Sequence, residues 1–417
     1  MTKRRSNHEG TGTYKVSDGR WRSDVTIGKD PVTKKRIRRP VYGRTSAECA
    51  ANRRKLLREV EDNKVVLTKP PTLAEWLHHW LEKIQRPGLE YQTWEGYESS
   101  IRNHMLPSAI ASSQLDKITA KQIEDLYASM RKSGLRAGTV RQTHSILSVA
   151  FKEALKRDKI AVNPMDKVSR PVESKDEVFR PKVLTSSDAR KIMKAADELP
   201  LEQGVRWMFS LSYGPRQSEV LGLGWDCVDF DNAKIDLKRK LYARKFEHGC
   251  NSGGPVCGKK PQFCPERTGG GLFFGVPKSE SGFRSYPLPG ELKEKMQALW
   301  AKHIILCEQE GERRQPYRDP NGVEVDLVFC QRNGRPYQPS NDSSAWKRFI
   351  ERTGVDAVRL HDARHTSATM LLELGVQPRV VMEIMGWSNM AMLNRYQHAL
   401  DDVKKDTADK LSAALWG

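Results

Sequence analysis

"RLHDARHTSATMLLELGV", residues 359–376, decides how the rest of this chain is read. Its apolar positions recur at helical spacing, and His361, Arg364 and His365 fall at i, i+3 and i+4, on one face of that helix. Taken alone, two histidines on one helix are ordinarily solvated or core residues. Two histidines four apart mimic the HExxH motif of zinc hydrolases, but position 362 is Asp rather than Glu and no third ligand suggests itself. The other use for a row of cationic and imidazole groups is to bind a phosphate.

Three further stretches are polar where a bland fold would not need them to be. "SYGPRQSEVLGLGWDCVDFD" (212–231) has a Gly-Pro break, then Arg216 at a helix start and Glu219 one turn on. "VPKSESGFRSYPLP" (276–289) reads as a hairpin with Lys278 near its turn. "GWSNMAMLNRYQHAL" (386–400) holds one tyrosine, Tyr396. Singly each has an ordinary explanation: a surface salt bridge, a solvated hairpin tip, a packing tyrosine. Together they fit phosphodiester transfer without a metal. Two arginines can hold the non-bridging oxygens of a pentavalent phosphorus, and a Lys or His can protonate the departing deoxyribose oxygen. A neutral donor helps hold the developing charge, and a tyrosine can form a covalent intermediate that keeps the phosphate bond energy. Arg216, Lys278, His361, Arg364, Trp387 and Tyr396 fill these roles in chain order.

Composition points to the same substrate. The 417 residues carry a net charge of +19, with a pI near 9.6, so a polyanion is the expected partner and nucleic acid the leading one. No apolar stretch follows the basic N-terminus and no run approaches a spanning helix, which predicts a soluble, intracellular protein with no membrane partner. Seven Cys in such a chain suggest thiols rather than a disulfide framework. The first 67 residues hold 18 Lys and Arg against 8 Asp and Glu, a net +10. Alternating runs there predict a small three-stranded sheet with a basic ribbon, then a helix capped by Thr45 and Glu48. After "TKPPT" (68–72), residues 68–168 show four apolar stripes at helical period, the first being Leu73, Trp76, Leu77, Trp80 and Leu81. A polar linker is expected at 169–183, then a mixed α/β, mainly helical segment over 184–417.

At this point the sequence resembles a tyrosine recombinase of the phage-integrase family, over essentially the whole chain. The family's pattern of Arg, Lys, His-x-x-Arg, His-or-Trp and Tyr is matched at each position, with Trp387 where His is commoner. The resemblance implies an arm-type DNA-binding domain over 1–67, a helical core-binding (SAM-like) domain over 68–168, and a catalytic domain over 184–417 with a tail at 401–417. It implies a 3′-phosphotyrosyl intermediate made by Tyr396, a Holliday junction, and no metal or ATP in the chemistry. Glu219 and His365 would orient the arginines and the backbone. Double-stranded DNA at core and arm sites, a homotetramer, an excisionase and a host DNA-bending protein in a bacterial host are the implied partners. A binding-only regulator would have no use for the tyrosine, and a type IB topoisomerase would not need the basic arm. Leu411, Leu415 and Trp416 in the tail are read as docking onto a neighbouring protomer, and His398 has no assigned role.

"FEHGCNSGGPVCGKKPQFCPERTGGG" (246–271) fits none of this. His248, Cys250, Cys257 and Cys264 are ligands of the kind a structural zinc takes. The spacing is not that of a CxxC knuckle and the setting is Gly-rich, so a zinc site and an exposed loop of free thiols both stand.

Overall fold

The period-2 alternation over 14–43 becomes an antiparallel sheet. β1 (Tyr14–Lys15), β2 (Trp21–Lys29) and β3 (Arg36–Gly43) lie in the order β1-β2-β3, with Trp21 opposite Gly43 and a register shift between Thr26 and Gly28. Alternation turns Ser23, Val25 and Ile27 inward, where Val25 and Ile27 meet Leu56 of α1 (Ser46–Glu61) in a small core. Arg22, Arg38 and Tyr42 belong to the other face, where the Arg22 guanidinium lies 5.9 Å from the Tyr42 ring centre. Thr45 accepts the Glu48 N–H at 3.1 Å, as expected of an N-cap. The Glu48 carboxylate accepts from Arg44 N–H at 2.7 Å, so the return bond lands one residue ahead of the cap.

This is a computed structural model, and it describes residues 12–29, 36–61, 70–174, 177, 182–250, 257–277, 280–396, 408–409 and 411–416. The chain divides into two compact units, 1–178 and 179–417. Residues 1–67 and 68–168 both fall in the first, with separate cores. The helical part contains α2 (Leu73–His79), α3 (Tyr91–Ser100), α4 (Ala120–Lys132) and α5 (Ala137–Lys156). α2 and α3 each run on into a wider π-helical turn, at Trp80–Gln85 and Ile101–Met105. Thr72 with Glu75 and Thr119 with Gln122 close reciprocal capping boxes. The predicted stripe of Leu73, Trp76, Leu77, Trp80 and Leu81 is buried against Ile123, Leu147 and Phe151, and the Trp76 indole N–H donates to the Ala150 carbonyl at 2.9 Å.

In the second unit, Thr185 caps α6 (Ser186–Asp197), which packs with α7 (Leu201–Ser212). Then come α8 (Gln217–Leu221), β4 (Val228–Asp229), β5 (Lys234–Leu237), β6 (Lys240–Arg244), β7 (Gly271–Gly275), β8 (Arg284–Pro287), α9 (Gly290–Glu310), β9 (Tyr317–Arg318) and β10 (Glu324–Val325). α10 (Pro339–Thr353), α11 (Leu360–Glu373) and α12 (Pro378–Met385) follow, and a 3-10 segment (Met390–Tyr396) carries the tyrosine. The strands form three small sheets, β4-β5-β8, β6-β7 and β9-β10, beside a helical core that includes Trp207, Phe209, Tyr286, Trp346 and Phe349.

One expectation is corrected here. Residues 276–289 are not a hairpin, because β7 pairs with β6 while β8 pairs with β5. The stretch around Lys278 therefore crosses from one sheet to another, and the hairpin of this region is β6–β7. Residues 278 and 279 themselves lie outside the described residues, as do residues 1–11, 30–35 and 397–407 (His398 among them). No helix among the described residues is long and apolar enough to cross a membrane.

Trp346 tests this core. It is 1% exposed, packs edge-on against Trp207 at 5.2 Å and donates its indole N–H to Val358 O at 2.9 Å. Trp346→Ala is expected to cost about 3–5 kcal/mol in urea unfolding, against less than about 0.5 kcal/mol for Trp416→Ala at an 80% exposed position.

Candidate active site

Arg364 is where three elements meet. α11 is held at its start by Asp362, whose carboxylate accepts from Arg359 N–H at 2.8 Å and from the Arg359 guanidinium at 2.8 and 3.0 Å. Two residues along, the Arg364 guanidinium, 4% exposed, donates to Gly214 O at 2.6 Å and to Met385 O at the end of α12. Gly214 has a positive φ of 57°, and a Cβ there would lie 2.8 Å from Arg364 Cα, so only glycine fits this approach. Ser367, one turn further along α11, donates to Leu211 O at 2.6 Å. Burial, then the nearby Arg216 charge, pushes the Arg364 guanidinium down to about 10, where it remains protonated at neutral pH.

Arg216 caps α8 as expected. Its N–H donates to one Glu219 oxygen at 2.7 Å, and its guanidinium to the other at 2.9 Å. The Arg216 side chain is 42% exposed whereas that of Glu219 is 5%, so the arginine faces outward from a buried anchor. The second partner of that anchor was not read from the sequence. Arg284 donates to Glu219 at 2.6 and 3.3 Å and to the Tyr286 hydroxyl at 2.9 Å, and Tyr286 donates to Ile384 O at 2.8 Å. Burial raises the Glu219 carboxyl, but Arg284 and then Arg216 outweigh it and hold the group below its ordinary value. The available signal was the alternation in "RSYP", which turns Arg284 and Tyr286 to the same side of β8. α8 is fastened to α10 by Gln217, which donates to Asp342 at 2.8 Å, and Asp342 lies 3.1 Å from the buried Arg206 guanidinium.

Tyr396 is 1% exposed, and its hydroxyl shares a 2.5 Å hydrogen bond with His365 Nδ1. Its ring stacks on Trp387 at 5.3 Å, and the Arg364 guanidinium stands 5.9 Å from the Trp387 ring centre. His361, on the open side of the helix, meets His365 edge-on at 5.0 Å. Partial desolvation, then Arg364, Arg359 and Arg216, lower its pKa against the pull of Asp362, so it is neutral at pH 7. The structure thus brings Arg216, Glu219, His361, Arg364, His365, Trp387 and Tyr396 into one locality. Lys278 lies outside the described residues. His248, Cys250, Cys257 and Cys264 are also brought together, in the β6–β7 connection.

Chemically, this locality offers fixed cations, a neutral imidazole, an indole and a phenol already hydrogen-bonded to an imidazole. The family model described as "Phage integrase family" matches residues 292–402, and that described as "Phage integrase, N-terminal SAM-like domain" matches 72–148. An integrase of Saccharopolyspora erythraea is 34% identical, with 100% of this chain aligned to 99% of that protein. Among solved structures, a fragment of the Tn1549 transposon integrase in complex with transposon right end DNA is similar with a TM-score of 0.64. It is 21% identical and covers 82% of this chain and 99% of that one. A lambda integrase tetramer bound to a Holliday junction is similar with a TM-score of 0.51 and 17% identity, covering 90% of this chain and 95% of that one.

Glu219 allows a stability test. Glu219→Gln leaves the buried Arg284 guanidinium without its counter-charge and is expected to cost about 3–5 kcal/mol at pH 7 in denaturant unfolding. Because the folded carboxyl titrates below its ordinary 4.5, the contribution of Glu219 is complete above that value and is lost as pH falls through the folded pKa. Between pH 5 and 3 the variant should therefore lose less stability than the native chain. Parallel curves would show that Glu219 carries no such linkage.

Proposed function

The chain belongs to the phage integrase family of tyrosine recombinases and is a site-specific DNA recombinase; on that premise we propose that Tyr396 is the nucleophile with which it cuts and rejoins DNA. The observation that carries this reading is the hydrogen bond from Tyr396 to His365 beside the buried Arg364. With tyrosine as the donor, His365 would receive the phenolic proton as the oxygen attacks phosphorus. The new bond joins Tyr396 to the 3′-phosphate, the bond to the 5′ oxygen breaks, and that oxygen takes up a proton, for which Lys278 is the assigned donor. A free 5′-hydroxyl from a second strand then reverses the step, giving a Holliday junction after one exchange and recombinants after two.

Arg364 and Arg216 are assigned to the non-bridging oxygens. Their difference in exposure suits a fixed inner contact and an adaptable outer one. His361, neutral at pH 7, donates a hydrogen bond without adding charge, and Trp387 donates through its indole N–H. The chemistry as written uses no metal and no ATP. Glu219 holds Arg216 in place rather than touching substrate.

Integration and excision of a phage or other mobile element is the role these assignments suit, within the bacterial cytoplasm and on the nucleoid. Residues 1–67 are assigned as the arm-site reader, supported by the basic outer face of the β1–β3 sheet. Residues 68–168 are assigned to the core site. A homotetramer is the proposed assembly by likeness to lambda integrase, with the 401–417 tail docking on a neighbouring protomer. An excisionase and a host DNA-bending protein would set direction. Leu411, Leu415 and Trp416 are 57%, 61% and 80% exposed, surface that such docking would cover.

Tyr396→Phe is expected to bind core-site DNA normally while covalent adduct falls by about 10^4-fold or more, to background. A retained adduct would remove Tyr396 as nucleophile. Deleting residues 1–67 should spare cleavage of a core site and depress integration at complete attachment sites. Undiminished integration would remove the arm assignment.

A further inference from the structure

The β6–β7 hairpin pairs Lys240 with Gly275 through Arg244 with Gly271, then leaves a long connection of residues 245–270 between its strands. Such a segment needs something to order it, and its described residues offer little apolar packing. Among its described residues only Cys264 is buried, at 0% exposure, while Phe263 is 63% exposed. Small segments without a core are ordinarily held by a cross-link or a metal.

What surrounds Cys264 is a set of ligand atoms. One atom each from His248, Cys250, Cys257 and Cys264 lies within 4.8 Å of every other. The His248 Nδ1 stands 3.8 Å from Cys250 Sγ and 3.6 Å from Cys257 Sγ. Zinc bonds of about 2.3 Å to sulfur and about 2.0 Å to nitrogen, set tetrahedrally, give S···N edges of about 3.5 Å and S···S edges of about 3.8 Å. The two S···N separations come close to that edge, and all four ligand atoms lie within 4.8 Å of one another. Hydrogen bonding alone does not account for it, since three thiols are weak donors and one imidazole offers a single acceptor nitrogen. All three cysteines are free thiols.

The backbone positions His248 and Cys264 by independent means. Glu247 and Thr268 exchange two backbone hydrogen bonds, of 2.9 and 3.0 Å, immediately beside His248. Gly249, between two of the ligands, runs so close to the opposite strand that a Cβ would sit 2.0 Å from Glu266 O. Cys264 follows a 3-10 turn (Pro261–Phe263), donating its N–H to Pro261 O and accepting from Arg267 N–H, both at 3.2 Å.

We propose that His248, Cys250, Cys257 and Cys264 form a structural zinc site that staples the β6–β7 connection. Three thiolates and one imidazole are a soft, tetrahedral donor set that suits Zn(II). With four protein ligands the coordination is closed, leaving no open position for substrate or water, so the metal orders the loop and takes no part in strand transfer. The sequence spacing is atypical because the ligands converge from two sides of a hairpin rather than from a single knuckle.

Metal analysis of the full chain, purified without added zinc, is expected to find about one zinc per chain. Cys257→Ser and Cys264→Ser should each bring it below about a tenth, while Cys227→Ser and Cys330→Ser, outside the loop, should retain it. Exchange with cobalt should give the ligand-field and thiolate charge-transfer bands of tetrahedral coordination in the native chain and not in the loop variants. The native chain decides the matter even where a variant fails to fold. A zinc-free native protein, whether its loop thiols titrate freely or appear as a disulfide by mass, would overturn the site, as would zinc retained in both loop variants.

Discussion

The buried guanidinium of Arg364 is the constraint on which the catalytic region depends. A charge at 4% exposure is costly unless its donors are met, and here two are met by backbone carbonyls, Gly214 after α7 and Met385 at the end of α12. Both acceptors are uncharged, so the guanidinium keeps its full positive charge instead of being neutralised by a carboxylate. That choice shapes the backbone around it. Position 214 must be glycine for α7 to come close enough, and Ser367 ties α11 to the same turn. A side chain that served only stability would be better replaced by an apolar one. Arg364 is retained as a fixed cation, and the fold is built to bear its cost.

Glu219 solves the complementary problem for Arg216. Its carboxylate is shared between an exposed arginine and a buried one, so Arg284 anchors Glu219 and Glu219 aims Arg216. The chain continues through Tyr286 to the carbonyl of Ile384 in α12, the helix whose last carbonyl receives Arg364. The two cations are therefore positioned through one connected set of polar contacts spanning α8, β8, α11 and α12. Moving Glu219 or Tyr286 leaves a buried donor of Arg284 unmet, and this makes the arrangement stiff.

What could be read beforehand divides along the range of the interactions. Helical periods in 68–168 and the cap at Thr45 are local, and they appear where the pattern puts them. The face formed by His361, Arg364 and His365 is also local, since 3.6 residues per turn settle it. The hairpin expected around Lys278 failed because strand pairing is not local: "VPKSESGFRSYPLP" has a turn-like centre, yet its flanking strands find partners in different sheets. Arg284 was missed for a related reason. An arginine in a short strand reads as solvent-facing until the opposite element, here the one carrying Glu219, is known. The Cys and His cluster shows the same limit, because the spacing of residues 248–264 along the chain does not reveal that a hairpin folds them onto one point.

The distribution of order within the site follows its chemistry. The cations sit on or beside helices packed into the main core, but Tyr396 sits on a 3-10 segment that belongs to a smaller cluster with Leu372, Val381, Met385 and Leu393. A 3-10 segment has poorer hydrogen-bond geometry than an α-helix and is held mostly by the packing of its side chains. Groups that must hold a phosphate in one place gain from the stiff frame, since small misplacement is expensive in rate. On the assignment proposed for it, Tyr396 first attacks and then remains covalently attached, and so must tolerate two positions relative to that phosphate. Placing it on the less constrained element, with His365 and Trp387 defining its resting position, meets both demands within one fold.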